Sequence, residues 1–119
     1  MSHAPPVGLR CLIVDDSEEF LASASRLLRA QGLEVVGAAS SGSEAIELAA
    51  RLLPDVALVD VCLGDEDGFE VTRRLEASTP SMRVVLISTH PEEDLPEVPT
   101  DGFLAKTALS GAAIRELLR

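Results

Sequence analysis

"LRCLIVDDSEEFLASASRLLRAQGLEVVGAAS" (residues 9–40) carries two different periods back to back. "LRCLIV" (9–14) is a nearly unbroken apolar run that ends on two aspartates, the pattern of a strand covered on both faces. "SEEFLASASRLLRAQG" (17–32) follows with Phe20, Leu21, Ala24, Leu27 and Leu28 at helical spacing. Ser17 suits its N-cap, glutamates fill the first turn, and Gly32 suits the C-terminal cap. "LEVVGAAS" (33–40) returns to a β-branched run. A buried strand, an amphipathic helix and a second strand within 32 residues (9 to 40) make a βαβ unit, whose two strands lie parallel.

The same alternation continues outward. "SGSEAIELAARLLP" (41–54) predicts a helix that stops before Pro54. "DVALVD" (55–60) is another apolar strand ending on aspartate, and "DGFEVTRRLEAS" (67–78) a helix. "MRVVLIS" (82–88) and "GFLAK" (102–106) are strands, and "LSGAAIRELLR" (109–119) is a closing helix. The resulting class is α/β: a doubly wound, five-stranded parallel sheet in the order 2-1-3-4-5. Residues 1–8 are expected to form a flexible N-terminal tail ahead of one domain over 9–119.

The crossover from Ser88 to Lys106 breaks the pattern. Pro91, Pro96 and Pro99 leave room for about one helical turn. A fourth helix is therefore expected to be missing or rudimentary.

Bulk composition narrows the function. The formal charge is −10, which opposes direct binding of nucleic acid or of anionic membrane. With three Phe and no Tyr or Trp, stacking platforms for bases are scarce. Residues 1–8 lack the apolar core of a signal peptide, and no run is long enough to span a membrane. Cys11 and Cys62 lie in apolar runs, which predicts buried, reduced thiols and a cytoplasmic protein.

In such a sheet, ligands bind beyond the carboxyl ends of the strands. Those ends carry Asp15 and Asp16, Asp60, Ser88 and Lys106. Three carboxylates in one cleft repel one another, which pushes one towards protonation unless a divalent cation intervenes. Oxygen donors and waters suit Mg2+, which could bridge Asp60 to a phosphoryl oxygen. A carboxylate can also act as a nucleophile and form an acyl phosphate. Lys106 is the single lysine beside nine arginines, a compact point charge in a place where a planar guanidinium would not fit.

"LIVDDS", "DVALVDVCLGDEDGFEV", "VVLIST" and "GFLAK", in this order and at these strand ends, resemble the receiver domain of bacterial two-component response regulators. The resemblance covers Leu9 to Arg119 and implies a flavodoxin-like receiver fold. It implies that Asp60 accepts a phosphoryl group from a sensor histidine kinase, that Asp15 and Asp16 hold Mg2+, and that Cys62 adds its backbone carbonyl. It implies that Ser88 and Lys106 meet the phosphoryl group and that Phe103, with Ser88, forms the switch. Asp67 and Gly68 match the turn and cap before the third helix. Such a domain is a phosphoacceptor, not a conventional enzyme, and it switches an output domain or partner protein.

Four departures stand out. Gly64 replaces a frequent proline, which predicts a looser loop, and Thr89 is larger than the usual small residue. Thr107 follows Lys106 where the family often has a proline, so a trans bond is expected. The short crossover puts the usual output surface in doubt, which leaves an alternative: a phosphorylation-independent receiver acting as a constitutive docking module. An aspartate-nucleophile phosphatase or a flavin protein on the same architecture lacks its own motifs here.

Overall fold

The computed structural model describes residues 8–89 and 101–118. Strand β1 (Arg10–Val14) leads to helix α1 (Glu18–Ala30), β2 (Glu34–Ala39), α2 (Gly42–Leu52) and β3 (Val56–Asp60). A two-residue hairpin, β4 (Cys62–Leu63) and β5 (Glu66–Asp67), precedes α3 (Gly68–Ser78). The chain continues through β6 (Arg83–Ser88), β7 (Gly102–Ala105), a single 3-10 turn (Lys106–Ala108) and α4 (Gly111–Leu117).

The main sheet is parallel throughout, in the order β2-β1-β3-β6-β7. This is the expected 2-1-3-4-5, with the unforeseen β4-β5 hairpin taking two numbers. The uninterrupted apolar strands have a direct cause, because each feeds two cores by alternation. Leu12, Val14, Ala57, Val59, Val84 and Leu86 face the side covered by α2 and α3. Cys11, Ile13, Val56, Leu58, Val85 and Ile87 face the side covered by α1 and α4. Side chains from Cys11 to Val14 and from Val56 to Val59 are fully buried.

Caps set the helix limits where the sequence places them. Ser17 Oγ accepts from Phe20 N, and Gly32 takes a left-handed φ of +89° after α1. Ser41 caps α2, which ends in a left-handed Leu53 immediately before Pro54. Asp67 caps α3, accepting from Phe69 N at 2.9 Å.

The structure corrects several expectations. Leu27 is 40% exposed because it falls at the edge of the arc formed by Leu21, Ala24 and Leu28. Only Cys11 is a buried thiol, and Cys62 is exposed. The run "LVDVCL" ends as a sheet strand at Asp60; beyond it Val61 and Leu63 turn inward and Cys62, between them, points out. Burial, reinforced by the Asp55 charge and opposed by Arg115, pushes the Cys11 thiol up to about 12. Lys106 begins the 3-10 turn instead of ending a strand. No peptide bond among the described residues is cis, so Lys106–Thr107 is trans. The rudimentary helix expected between Ser88 and Lys106 falls largely on residues 90–100, outside the described residues.

Candidate functional site

The site forms because β1 and β3 are neighbours in register, with Val14 beside Val59. Asp15, just past β1, and Asp60, the last residue of β3, therefore emerge side by side at the carboxyl edge. Each first satisfies a backbone donor two residues further on. Ser17 N donates to Asp15 Oδ1 at 2.9 Å, and Cys62 N donates to Asp60 Oδ1 at 3.0 Å. These bonds turn the chain sharply out of the sheet. They also aim the two Oδ2 atoms at one point.

Lys106 occupies that point. Its Nζ lies 2.6 Å from Asp15 Oδ2 and 2.9 Å from Asp60 Oδ2. The lysine side chain is 18% exposed, Asp15 fully buried and Asp60 nearly so. Asp16 is exposed, and its carboxylate completes a cluster with Asp15 and Asp60 in which one oxygen from each lies within 4.8 Å of the others.

The electrostatics follow from burial. Desolvation raises the pKa of Asp15, the Lys106 ammonium and the Ser17 N–H pull it down, and Asp60 adds a smaller upward push; the net shift is up. The repulsion expected from three clustered carboxylates is therefore present, but it ranks below desolvation. For Lys106, desolvation favours the neutral amine, and the two aspartates more than reverse this, so its pKa also rises.

The donor set fits a hard divalent cation. All three groups are carboxylates, the ligand type Mg2+ takes. Asp15 Oδ2 is buried and accepts no directed hydrogen bond. Its 2.6 Å approach to Lys106 is an ion-pair contact whose angles lie outside those of a hydrogen bond. Three carboxyl groups against one lysine also make a site whose donors outnumber its single cation.

The remaining predicted residues sit around this centre. Ser88 is the fully buried last residue of β6, the strand beside β3. Phe103 lies on β7, half-buried, and packs against the core under α2 and α3. Cys62 pairs with Asp67 across the hairpin. Asp67 and Gly68 carry the turn into α3, and Gly68 N donates to Val61 O at 2.9 Å. A Cβ on Gly68 would lie 2.1 Å from Asp60 O and 2.6 Å from Val61 Cα, so only glycine admits this approach.

Two contacts were not foreseen from the sequence. The ring of Phe20 lies 4.3 Å from Lys106 Nζ. Phe20 had been read only as part of the α1 stripe, and nothing in a linear pattern pairs residues 20 and 106. Glu66 Oε1 accepts from Gly42 N at 2.8 Å, tying the hairpin to the start of α2. The Gly64 loop expected to be loose therefore has an anchor two residues on.

Comparison with known proteins gives a consistent picture. The family described as response regulator receiver domain matches residues 11–116. The response regulator GacA of Pseudomonas viridiflava is 35% identical over 112 residues, covering 93% of this chain and 52% of the relative. A protein-glutamate methylesterase/protein-glutamine glutaminase of Myxococcus xanthus is 43% identical over 90 residues, 71% of this chain but 25% of that protein. The solved signal receiver domain of the putative response regulator NarL from Mycobacterium tuberculosis superposes with a TM-score of 0.75 at 31% identity, covering 95% of this chain and 92% of that one. The chain spans about half the length of the GacA relative it matches. Among the described residues, no helix is long and apolar enough to cross a membrane.

Proposed function

Because this chain belongs to the receiver-domain family of two-component response regulators, we propose that Asp60 is its phosphoacceptor. The observation that carries the reading is the cluster of Asp15, Asp16 and Asp60, with the single lysine paired to Asp15 and Asp60.

An Asp60 carboxylate oxygen attacks the phosphorus of a kinase phosphohistidine. The P–N bond breaks, the imidazole leaves and takes up a proton, and an aspartyl phosphate forms. Lys106 places a positive charge 2.9 Å from Asp60 Oδ2, where negative charge accumulates on the phosphoryl oxygens. Asp15 holds that ammonium from its other side. Asp15, Asp16, Asp60 and the backbone carbonyl of Cys62 would hold Mg2+, which would supply further positive charge against the phosphoryl group. Ser88, at the end of the neighbouring strand, offers its hydroxyl to the same group. Phe103 lies on the edge strand β7, where half-burial leaves room for a change of rotamer. Ser88 and Phe103 thus form the switch that alters partner binding.

Receiver domains are signalling domains, and the reading here is a phosphoacceptor over residues 9–119 that works in the cytoplasm. Its partners are a sensor histidine kinase and an output domain or partner protein. The length of the GacA relative, about twice the matched region, supports such an output. Incubation with acetyl phosphate and Mg2+ followed by intact mass tests the reading. Wild type is expected to gain about 80 Da, one phosphoryl group, and Asp60→Asn nothing. No gain on wild type, or an equal gain on Asp60→Asn, sinks it.

A further inference from the structure

We propose that Phe20 is a positioning residue for Lys106: its ring holds the ammonium against Asp15 and Asp60. The functional consequence rests on the phosphoacceptor reading above; the positioning itself does not.

The contacts close into a ring. Asp15 Oδ1 accepts from Ser17 N at 2.9 Å. Ser17 Oγ accepts from Phe20 N at 3.1 Å, which fixes Phe20 in the first turn of α1. The Phe20 ring faces Lys106 Nζ at 4.3 Å. Lys106 Nζ returns to Asp15 Oδ2 at 2.6 Å. One aspartate thus sets both the helix cap that places the aromatic and the ion pair that the aromatic covers. The ring is itself anchored, since Phe20 is half-buried and packs against the core between the sheet and α1 and α4.

The chemistry of the contact is specific. Two carboxylates flank the ammonium, Asp15 Oδ2 at 2.6 Å and Asp60 Oδ2 at 2.9 Å. The negative face of an aromatic ring is a partner for the remaining charge that needs no further polar group. A leucine in the same place would fill the space and leave that side of the ammonium to water.

The chain has one lysine, so protein labelled with 13C-lysine gives a single ε-methylene signal, that of Lys106. In wild type the Phe20 ring current is expected to move this signal upfield. Phe20→Leu should abolish the shift and Phe20→Tyr should keep it. With acetyl phosphate and Mg2+, Phe20→Leu should slow labelling of Asp60 by about three- to tenfold, and Phe20→Tyr should restore the rate. Pentafluorophenylalanine placed at position 20 alone keeps the shape and reverses the ring's charge distribution. It should slow labelling as leucine does, which packing alone would not. An unshifted Lys106 signal in wild type, or a wild-type rate with the fluorinated ring, overturns the proposal. If wild type takes up no phosphoryl group, the phosphoacceptor reading falls, and the Lys106 signal still decides whether Phe20 positions the ammonium.

Discussion

Aspartates border the sheet at both ends, and their second oxygens have different partners. At the amino end, Asp55 Oδ2 accepts from Arg10 N at 2.8 Å, bracing the start of β3 against β1. Asp101 does the same for β7, with Oδ2 accepting from Val84 N at 2.8 Å and Oδ1 from the exposed Arg83 at 3.1 Å. At the carboxyl end, Asp15 and Asp60 each give one oxygen to a backbone N–H and turn the other towards Lys106. The amino-end pair is partly or fully exposed, so its charges are solvated and its ion pair contributes little. The carboxyl-end pair is buried, so its charges are held under tension that a cation can relieve. An aspartate at a strand end can aim one buried oxygen at a shared point, as Asp15 and Asp60 do, or act as a brace when both oxygens are committed to local structure or water.

The contrast can be broken most sharply at Asp60. Asp60→Asn should eliminate phosphoryl uptake, and Asp55→Asn should leave its rate unchanged, both read by intact mass after acetyl phosphate. Loss of uptake in both would erase the distinction between the two ends. Next comes Gly68→Ala. The added methyl would meet Asp60 O at 2.1 Å, so backbone must move, at a cost of about 2–4 kcal/mol in urea unfolding. A stability equal to wild type would mean that the loop after β3 is not pinned to α3. Asp101→Ala removes the acceptor for Val84 N–H and Arg83, and should cost about 1–2 kcal/mol while phosphorylation proceeds normally.

The smallest effect has the opposite sign. Asp15 has a folded pKa raised above its ordinary 3.8, chiefly by burial. Its contribution to stability is therefore fully present below that value and lost as the pH rises through the folded pKa. At pH 7, without Mg2+, Asp15→Asn should be more stable than wild type, and the gap should close as the pH falls towards 3.8. Saturating Mg2+ should stabilise wild type more than Asp15→Asn. Thermal melts across pH with and without Mg2+ would show this, and a destabilised Asp15→Asn at neutral pH would mean that the Lys106 pair outweighs desolvation.

The alternation of elements, the strand order and the caps at Ser17 and Asp67 were all legible in the chain, because each rests on local periodicity or on a side chain reaching a nearby backbone donor. The convergence of Asp15, Asp60 and Lys106 was legible too, since parallel strands deliver their carboxyl ends to one edge. Cys62 was misread because an apolar run does not mark where a sheet strand ends and a hairpin begins. Leu27 was misread because helical spacing gives a stripe without saying how much of its edge the sheet covers.

By itself, the sequence determined the α/β class and which residues stand at the carboxyl edge, because both follow from the order and period of elements along the chain. Only the tertiary structure decided that Lys106 bridges Asp15 and Asp60, that Glu66 holds the start of α2, and that Phe20 covers the ammonium. Those contacts join residues far apart in the chain, and their distances depend on how the helices settle on the sheet, which no local pattern encodes.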